Sequence, residues 1–181
     1  MGFSKEVREK VYNKTGGKCA YCGCDLPNRW QVDHVVPVER HSMTGEYLGD
    51  GTDSIDNLLP SCQSCNIIKS KQPLESFRDE LENMYNSVYR SGVFKVAERY
   101  RIVERHRINV QFYFEKIGIV VVDYYKQLLK EEEKNLRFEL DLISEAESNP
   151  NTEWNKKIHY NEVERIKELI ETYKLIILSN K

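Results

Sequence analysis

The sequence has no long hydrophobic run and almost no net charge. No stretch of its 181 residues approaches the ~20 consecutive apolar residues that a membrane-spanning helix needs. The first ten residues are charged from the start and contain no apolar segment, so we expect no secretory signal and a cytoplasmic protein. Basic residues number 27 and acidic residues 29, a net charge of −2, which by itself indicates no charged partner.

Cysteine is the most informative residue type that is present. The chain has five cysteines, an odd number. We therefore expect a metal site and no disulfide framework. Four of them form two matched pairs, Cys19-x-x-Cys22 and Cys62-x-x-Cys65. A two-residue gap lets a tight turn present both thiolates to one zinc ion, and two such turns complete a tetrahedral site. We therefore predict a structural Zn²⁺, with Cys24 as a bystander thiol.

The N-terminal two thirds of the chain is predicted to contain short helices and strands. Their order is a helix over 4–14, strands at 30–36 and near 58–59, a loop over 41–56, and helices over 65–70, after Pro73 and over 94–107. Ser4 is the expected N-cap of the first helix. The alternation of Val110, Phe112 and Phe114 predicts a further strand over 109–116.

The last third of the chain differs in character. Apolar residues recur every three or four positions before and after a turn at 148–151, which predicts two amphipathic helices in a hairpin. They could pack on each other and on the preceding domain, or expose a seam for a homodimer or a protein partner. We predict two domains, 1–118 and 119–181, the first with a core at about 15–80 and a basic extension at about 90–116.

Polar residues between and after the cysteine pairs suggest phosphodiester hydrolysis. Asp33 and His34 lie within a β-like run, Asn57 precedes the second pair and Asn66 follows it. An imidazole with a pKa of ~6.5 can deprotonate a water at neutral pH, and carboxylate and carbonyl oxygens suit Mg²⁺. Adjacent side chains of an ideal strand point to opposite sides. Asp33 and His34 could therefore address one phosphate only at a bulge or a strand end.

These residues resemble the HNH endonucleases of the ββα-metal fold. The resemblance covers about 15–80 and rests on the paired cysteines, Asp33-His34-x-x-Pro37, Asn57-Leu58 and Cys65-Asn66-x-x-Lys69. It implies a zinc-stapled core in which a β-hairpin and a helix hold one catalytic divalent ion, Mg²⁺ or Mn²⁺. With the surrounding helices and the C-terminal helical hairpin, the predicted fold class is α+β.

The resemblance also implies roles for four residues. His34 would be the general base, and Asn57 would orient the loop and the catalytic histidine. Asp33 and Asn66 would bind the catalytic metal ion. Asparagine at the third position of the motif makes this an H-N-N version, and it does not suggest an inactive enzyme because asparagine is commonly accepted there.

A basic window over 90–107 is the expected DNA contact. Next to a nuclease core, its arginines would neutralise backbone phosphates and make affinity fall with salt; the candidates are Arg99, Arg101, Arg105 and Arg107. Lys69 lies three residues after Asn66 on one helical face, where it could contact a phosphate or remain solvated. His41 in the loop is interpreted as a surface residue.

The sequence therefore predicts a metal-dependent HNH endonuclease that hydrolyses DNA by nicking or double-strand cleavage. A phage, restriction or antiphage-defence setting is expected. The alternatives are a catalytically silent zinc-dependent DNA-binding module and an adaptor subunit that acts in a larger complex through its helical hairpin. The combination of His34, Asp33, Asn57 and Asn66 favours the enzyme, because a binding module needs no such set.

Overall fold

The computed structural model describes residues 2–104, 109–147 and 153–180. It is an α+β protein that divides into two compact units, Met1–Ile119 and Val120–Lys181. The first unit contains α1 Lys5–Lys14, β1 Gln31–His34, β2 Leu58–Ser61, α2 Gln63–Lys69, α3 Leu74–Arg90, α4 Gly92–Arg99 and α5 Tyr113–Lys116. The second contains α6 Val122–Glu147 and α7 Glu153–Ser179.

Helix α1 begins and ends where local sequence signals predict. The Ser4 hydroxyl accepts a hydrogen bond from the Val7 N–H and caps the first turn. Gly16 and Gly17 follow the helix with φ of +61° and +80°, a left-handed conformation that glycine adopts at little cost. The helix packs on β2 and buries Val11 completely.

Strands β1 and β2 form a two-stranded antiparallel sheet that positions the site. Asp33 pairs with Leu59 and His34 with Leu58, and β1 ends at His34. The strand is regular, so its side chains alternate between the two faces. Asp33 is buried and His34 is half-buried on the other face.

The predicted strand over 109–116 is wrong. Phe112 is the N-cap of the short helix α5, and its N–H donates to Glu115 Oε2 at 2.8 Å. The alternation has another cause: Phe112 and Phe114 are both buried around Tyr21, with ring centroids 5.4 and 6.3 Å from it. The Phe114 N–H donates to the Ala20 carbonyl at 2.8 Å, so this segment attaches to the first cysteine turn without extending a sheet.

The basic helix is shorter than the sequence predicts. Helix α4 ends at Arg99, and Arg101 adopts a φ of +56°, which is incompatible with a continuing right-handed helix. Residues 105–108 lie outside the described residues. The described part of the basic window is therefore a two-turn helix followed by a turn.

The predicted C-terminal helix pair is confirmed. Helices α6 and α7 pack on each other, and buried apolar side chains recur at helical spacing in both: Ile143 and Ala146 in α6, and Val163, Ile166, Ile170 and Ile177 in α7. The predicted turn at 148–151 lies outside the described residues. Within the ranges that the structure describes, no helix is long and apolar enough to cross a membrane.

Candidate functional site

The four cysteines of the two pairs come together as one cluster. Their Sγ atoms all lie within 4.8 Å of one another, and those of Cys22 and Cys62 are 3.9 Å apart. Zinc–sulfur bonds of about 2.3 Å in a tetrahedron place the sulfurs about 3.8 Å apart. The number, chemistry and spacing of these donors therefore fit a structural zinc ion, and four thiolates would leave it no open position.

Backbone geometry brings the two cysteine pairs into position. In the first pair, the Cys19 carbonyl accepts from the Gly23 N–H at 2.9 Å, and Gly23 has a φ of +75°, which favours glycine. In the second, Cys62 is the N-cap of α2 and its Sγ accepts from the Cys65 N–H. The Cys62 N–H donates to Cys19 Sγ at 3.3 Å. The N–H groups of Cys62 and Cys65 therefore stabilise negative charge on the sulfurs that accept from them.

The protonation of the thiols also favours a cation at this position. A hydrogen bond from Cys65 lowers the pKa of Cys19 to about 4, whereas burial raises the pKa of Cys22 to about 12. Without a cation the cluster therefore retains protons, because several thiolates in contact repel one another. A bound Zn²⁺ removes this conflict. Cys24 is exposed and is not one of the four clustered cysteines, although its Sγ lies 3.4 Å from that of Cys22.

Asp33 lies on the buried face of β1 in a polar network. The Tyr21 hydroxyl donates to Asp33 Oδ2, and Lys69 Nζ lies 3.1 Å from the same oxygen. Lys69 Nζ also donates to the His34 carbonyl at 2.7 Å. Burial raises the pKa of Asp33, an effect that the Lys69 charge and the hydrogen bond from Tyr21 oppose. The network connects the first cysteine turn, β1 and α2.

The burial of Lys69 contradicts its predicted contact with DNA. Its side chain is 0% exposed, and its ammonium group is held by Asp33 and the backbone of His34. A phosphate cannot reach an ammonium group enclosed in this way, so the prediction is corrected to a structural ion pair. Arg99 and Arg101 are exposed, and Arg105 and Arg107 lie outside the described residues.

The candidate ligands of the catalytic metal ion fit only in part. Asn66 is half-buried on α2, and its amide oxygen has the chemistry that Mg²⁺ accepts. The Asp33 carboxylate also has suitable chemistry, but it is buried and Lys69 already balances its charge. In this conformation, Asp33 does not fit a ligand for a cation that arrives from solvent. In the described part of the chain, the four cysteines are the only cluster of three or more His, Cys, Asp or Glu placed to hold a metal.

Asn57 holds the loop that follows β1. Its side chain is completely buried, and its Nδ2 donates to the carbonyls of Val36 and Thr52, each at 2.9 Å. Its Oδ1 accepts from the Val36 N–H at 2.8 Å. One amide thus joins the segment just after His34 to the far end of the loop, with every hydrogen bond made inside the protein.

His34 lies in an open cleft on the other face of β1. Its Nε2 is 2.8 Å from Asp53 Oδ1, and its ring centroid is 5.6 Å from that of Phe3. The other oxygen of Asp53 accepts a hydrogen bond from Arg40. Partial burial would raise the pKa of Asp53, but the hydrogen bonds from His34 and Arg40 outweigh it and lower the pKa. Asp53 is therefore ionised at neutral pH.

Two residues of the site, Asp53 and Tyr21, could not be identified from the sequence. Asp53 is 19 residues from His34, and nothing in its local pattern distinguishes it from Asp50 or Asp56 in the same loop. Tyr21 lies between Cys19 and Cys22, where the spacing of the cysteines predicts a metal site and indicates no role for the residues between them. Only the path of the loop and the closure of the cluster bring these side chains to Asp33 and His34.

Comparison with known families agrees with this geometry. Residues 19–72 match the family model described as HNH endonuclease, and a search of curated proteins found no match. The matched segment begins at the first clustered cysteine and ends just after α2. It includes all four clustered cysteines, both strands, His34 and Asn57. Residues 19–72 therefore form an HNH endonuclease domain with a four-cysteine cluster that fits a structural zinc ion.

Proposed function

We propose that the protein is a metal-dependent endonuclease that hydrolyses phosphodiester bonds in DNA, with His34 as its general base. The observation that carries the proposal is the position of His34 within an HNH domain. Its side chain is 23% exposed in a cleft lined by Gly2, Phe3, Arg40, Gly45 and Asp53. An imidazole at an open surface can take a proton from an attacking water at neutral pH.

The zinc cluster has a scaffolding role in this proposal. It joins the first cysteine turn to the start of α2, and β1 lies between the two pairs in the chain. Four thiolates leave zinc no position for water or substrate, so it takes no part in the reaction. Asn57 is the second support, because its three hydrogen bonds connect Val36 to Thr52 and hold the loop beside His34.

The catalytic divalent ion rests on the family alone. When bound, Mg²⁺ or Mn²⁺ would stabilise negative charge on the phosphate and the leaving oxygen. Asn66 is the candidate protein ligand for this ion, whereas Asp33 already forms an ion pair with Lys69. The proposed role of His34 depends on its own position in the cleft and on no metal-bound geometry.

The exposed arginines near the end of α4 are the proposed DNA contact. Arg99 on α4 and Arg101 in the turn after it are solvent-exposed, and Lys95 on α4 is exposed as well. Each arginine that neutralises a phosphate releases a counterion, so affinity should fall steeply with salt. Arg105 and Arg107, which lie outside the described residues, are also proposed as DNA contacts.

We further propose that cleavage leaves a nick with a 5′ phosphate and a 3′ hydroxyl, in a phage, restriction or antiphage-defence setting. One HNH domain carries one active site, so a double-strand break would need two copies or two successive nicks. The helix pair of residues 119–181, proposed as a separate domain, is the candidate for joining two copies or docking a protein partner.

Plasmid cleavage tests this function. Zinc-loaded protein freed of excess metal is incubated with supercoiled plasmid and with no added ion, Mg²⁺ or Mn²⁺. We expect relaxed circles only when the divalent ion is present. Folded, zinc-loaded protein that binds the plasmid but never cuts it would contradict the proposal.

Variants at Asn66 sharpen the metal assignment. Asn66→Asp keeps an oxygen ligand and should retain part of the metal-dependent activity. Asn66→Ala has no such oxygen and should lose most of it. Full activity in the alanine variant would remove Asn66 from the metal site.

One observation favours the alternative of a catalytically silent DNA-binding module or adaptor. Asp33 is engaged by Tyr21 and Lys69 and is not free to bind a cation. This alternative predicts salt-dependent DNA binding with no cleavage under any divalent ion. The plasmid assay, run beside a binding measurement, separates the two.

A further inference from the structure

We propose that Asp53 is a positioning residue that sets the ring orientation and the tautomer of His34. This inference rests on the proposed function and adds to it a residue from outside the H-N-N motif. Asp53 Oδ1 lies 2.8 Å from His34 Nε2, a normal hydrogen-bond distance. Both side chains border the same cleft.

The chemistry of this contact selects one tautomer. An ionised carboxylate only accepts hydrogen bonds, so Nε2 must carry the proton that it donates to Asp53. Nδ1 then keeps its lone pair and is the nitrogen that can take a proton from water. A carboxylate that holds one nitrogen of an imidazole while the other acts is a general arrangement in acid–base sites. During the reaction the proton passes from water to Nδ1, and Asp53 remains ionised beside the imidazolium.

The imidazole is restrained from a second direction. The Phe3 ring centroid lies 5.6 Å from that of His34 at an interplanar angle of 48°. The His34 backbone is also fixed, because its carbonyl accepts from the buried Lys69 ammonium group. Rotation of the ring about its side-chain bonds would break the contact at Nε2.

Asp53 is itself held in place through its side chain and its backbone. Arg40 donates to Oδ2 of Asp53 and its guanidinium lies 5.1 Å from the centroid of the Tyr47 ring. The preceding residue, Thr52, has its carbonyl bound by the Asn57 amide at 2.9 Å. A cation on one oxygen and a fixed backbone leave Oδ1 directed at His34.

The loop is built to bring Asp53 back to β1. Gly51 is buried against the Pro37 backbone, and a Cβ there would overlap the Pro37 carbonyl. Only glycine permits this close approach. The two ends of the loop therefore meet, and Asp53 follows two residues later beside the end of the strand. Asn57 thus supports His34 through Thr52 and Asp53 as well as through Val36.

The test measures cleavage and DNA binding separately in the full-length protein. The variants are Asp53→Ala and Asp53→Glu, with Asp56→Ala as the matched control because Asp56 is exposed in the same segment. Plasmid nicking is followed with enzyme in excess and at saturation. Binding is followed by anisotropy of a labelled duplex without divalent ion, and zinc content and circular dichroism confirm the fold.

We expect Asp53→Ala to lower the saturated cleavage rate by about 10–100-fold, by analogy with the loss of a carboxylate partner from a metal-binding histidine. DNA affinity should not change, and Asp53→Glu should retain part of the rate. Sodium formate should restore part of the rate of Asp53→Ala, because it supplies the missing carboxylate, whereas sodium chloride at equal concentration should not. Asp56→Ala should behave as the wild type.

Three results would overturn the proposal. Cleavage by Asp53→Ala at the wild-type rate would remove Asp53 and leave the endonuclease function intact. A loss that appears in DNA affinity, or one that formate does not relieve, would show a binding or structural role. A wild-type protein that does not cleave would remove the proposed function and this inference together.

Discussion

The two compact units hold their folds by different means. In the first, the strands have four residues each and the cysteine cluster connects segments about 40 positions apart in the chain. In the second, helices of 26 and 27 residues pack on each other and bury apolar side chains at helical spacing. Short elements bury little surface and need a cross-link. We infer that the unit with the site depends on its cation, and the helix pair on its apolar seam.

Buried polar groups follow the same division. Six polar or charged residues are buried among those described, and Asp123 is the one in the second unit. The other five are in the first unit, and they include Asp33, Asn57 and Lys69, which lie within the HNH domain. Buried polar groups cost stability unless all their partners are in place. Asp33, Lys69 and Asn57 lie where the fold must hold one geometry around His34.

Of the changes considered, removal of zinc should destabilise the first unit most and leave the second folded. Structural zinc contributes about 10–16 kcal/mol in small zinc domains, so a strong chelator should unfold the HNH domain. The long helices should persist, and circular dichroism should fall only in part and recover when Zn²⁺ is restored. Unchanged circular dichroism after measured zinc loss would contradict the proposed dependence on the cation.

Lys69→Met should have the next largest effect and destabilise the HNH domain. It leaves Asp33 buried without its counter-charge, which typically costs about 3–5 kcal/mol. The measurement is urea unfolding of the zinc-loaded protein, with Lys71→Met as an exposed control. The double variant Asp33→Asn/Lys69→Met should recover part of the loss, and the absence of any recovery would argue against a coupled pair.

Ile166→Ala should weaken the helix pair and leave the zinc site unchanged. Ile166 is 1% exposed, and truncation of a buried isoleucine costs about 2–5 kcal/mol. Leu175→Ala is the control because Leu175 is 63% exposed. Thermal unfolding and zinc content should be measured on both variants. A loss of zinc from Ile166→Ala would show that the two units do not depend on different supports.

Zinc affinity should increase with pH. The pKa of Cys22 is raised to about 12 in the cluster without a cation, so at neutral pH zinc must displace its proton. Each proton released makes binding about 1.4 kcal/mol more favourable per pH unit. Competition with a coloured chelator at several pH values measures this slope, and a flat profile would mean that the thiols are already ionised.

The parts of the fold that could be predicted depend on local patterns. Two-residue gaps identify the four clustered cysteines, and apolar spacing over more than twenty residues identifies α6 and α7. Ser4 caps α1 through its own side chain. Each of these signals lies within a few residues of the structure it specifies, so one sequence is enough to find it.

The parts that could not be predicted depend on contacts distant in the chain. The alternation at Phe112 and Phe114 has the period of a strand, but it arises because both rings pack around Tyr21. The sequence around Lys69 is typical of a surface position, but the packing of α2 on β1 buries its side chain against Asp33. Asp53 reaches His34 only through the closure of a loop.

The cleavage rate of His34→Ala, beside that of His41→Ala, decides whether His34 is the general base. His41 is an exposed histidine in the neighbouring loop, so the same substitution there controls for the loss of an imidazole. Both zinc-loaded proteins should bind plasmid like the wild type in matched Mg²⁺ or Mn²⁺ assays. If His34 is the general base, nicking is lost in His34→Ala and kept in His41→Ala. Nicking at the wild-type rate by folded His34→Ala would contradict this role.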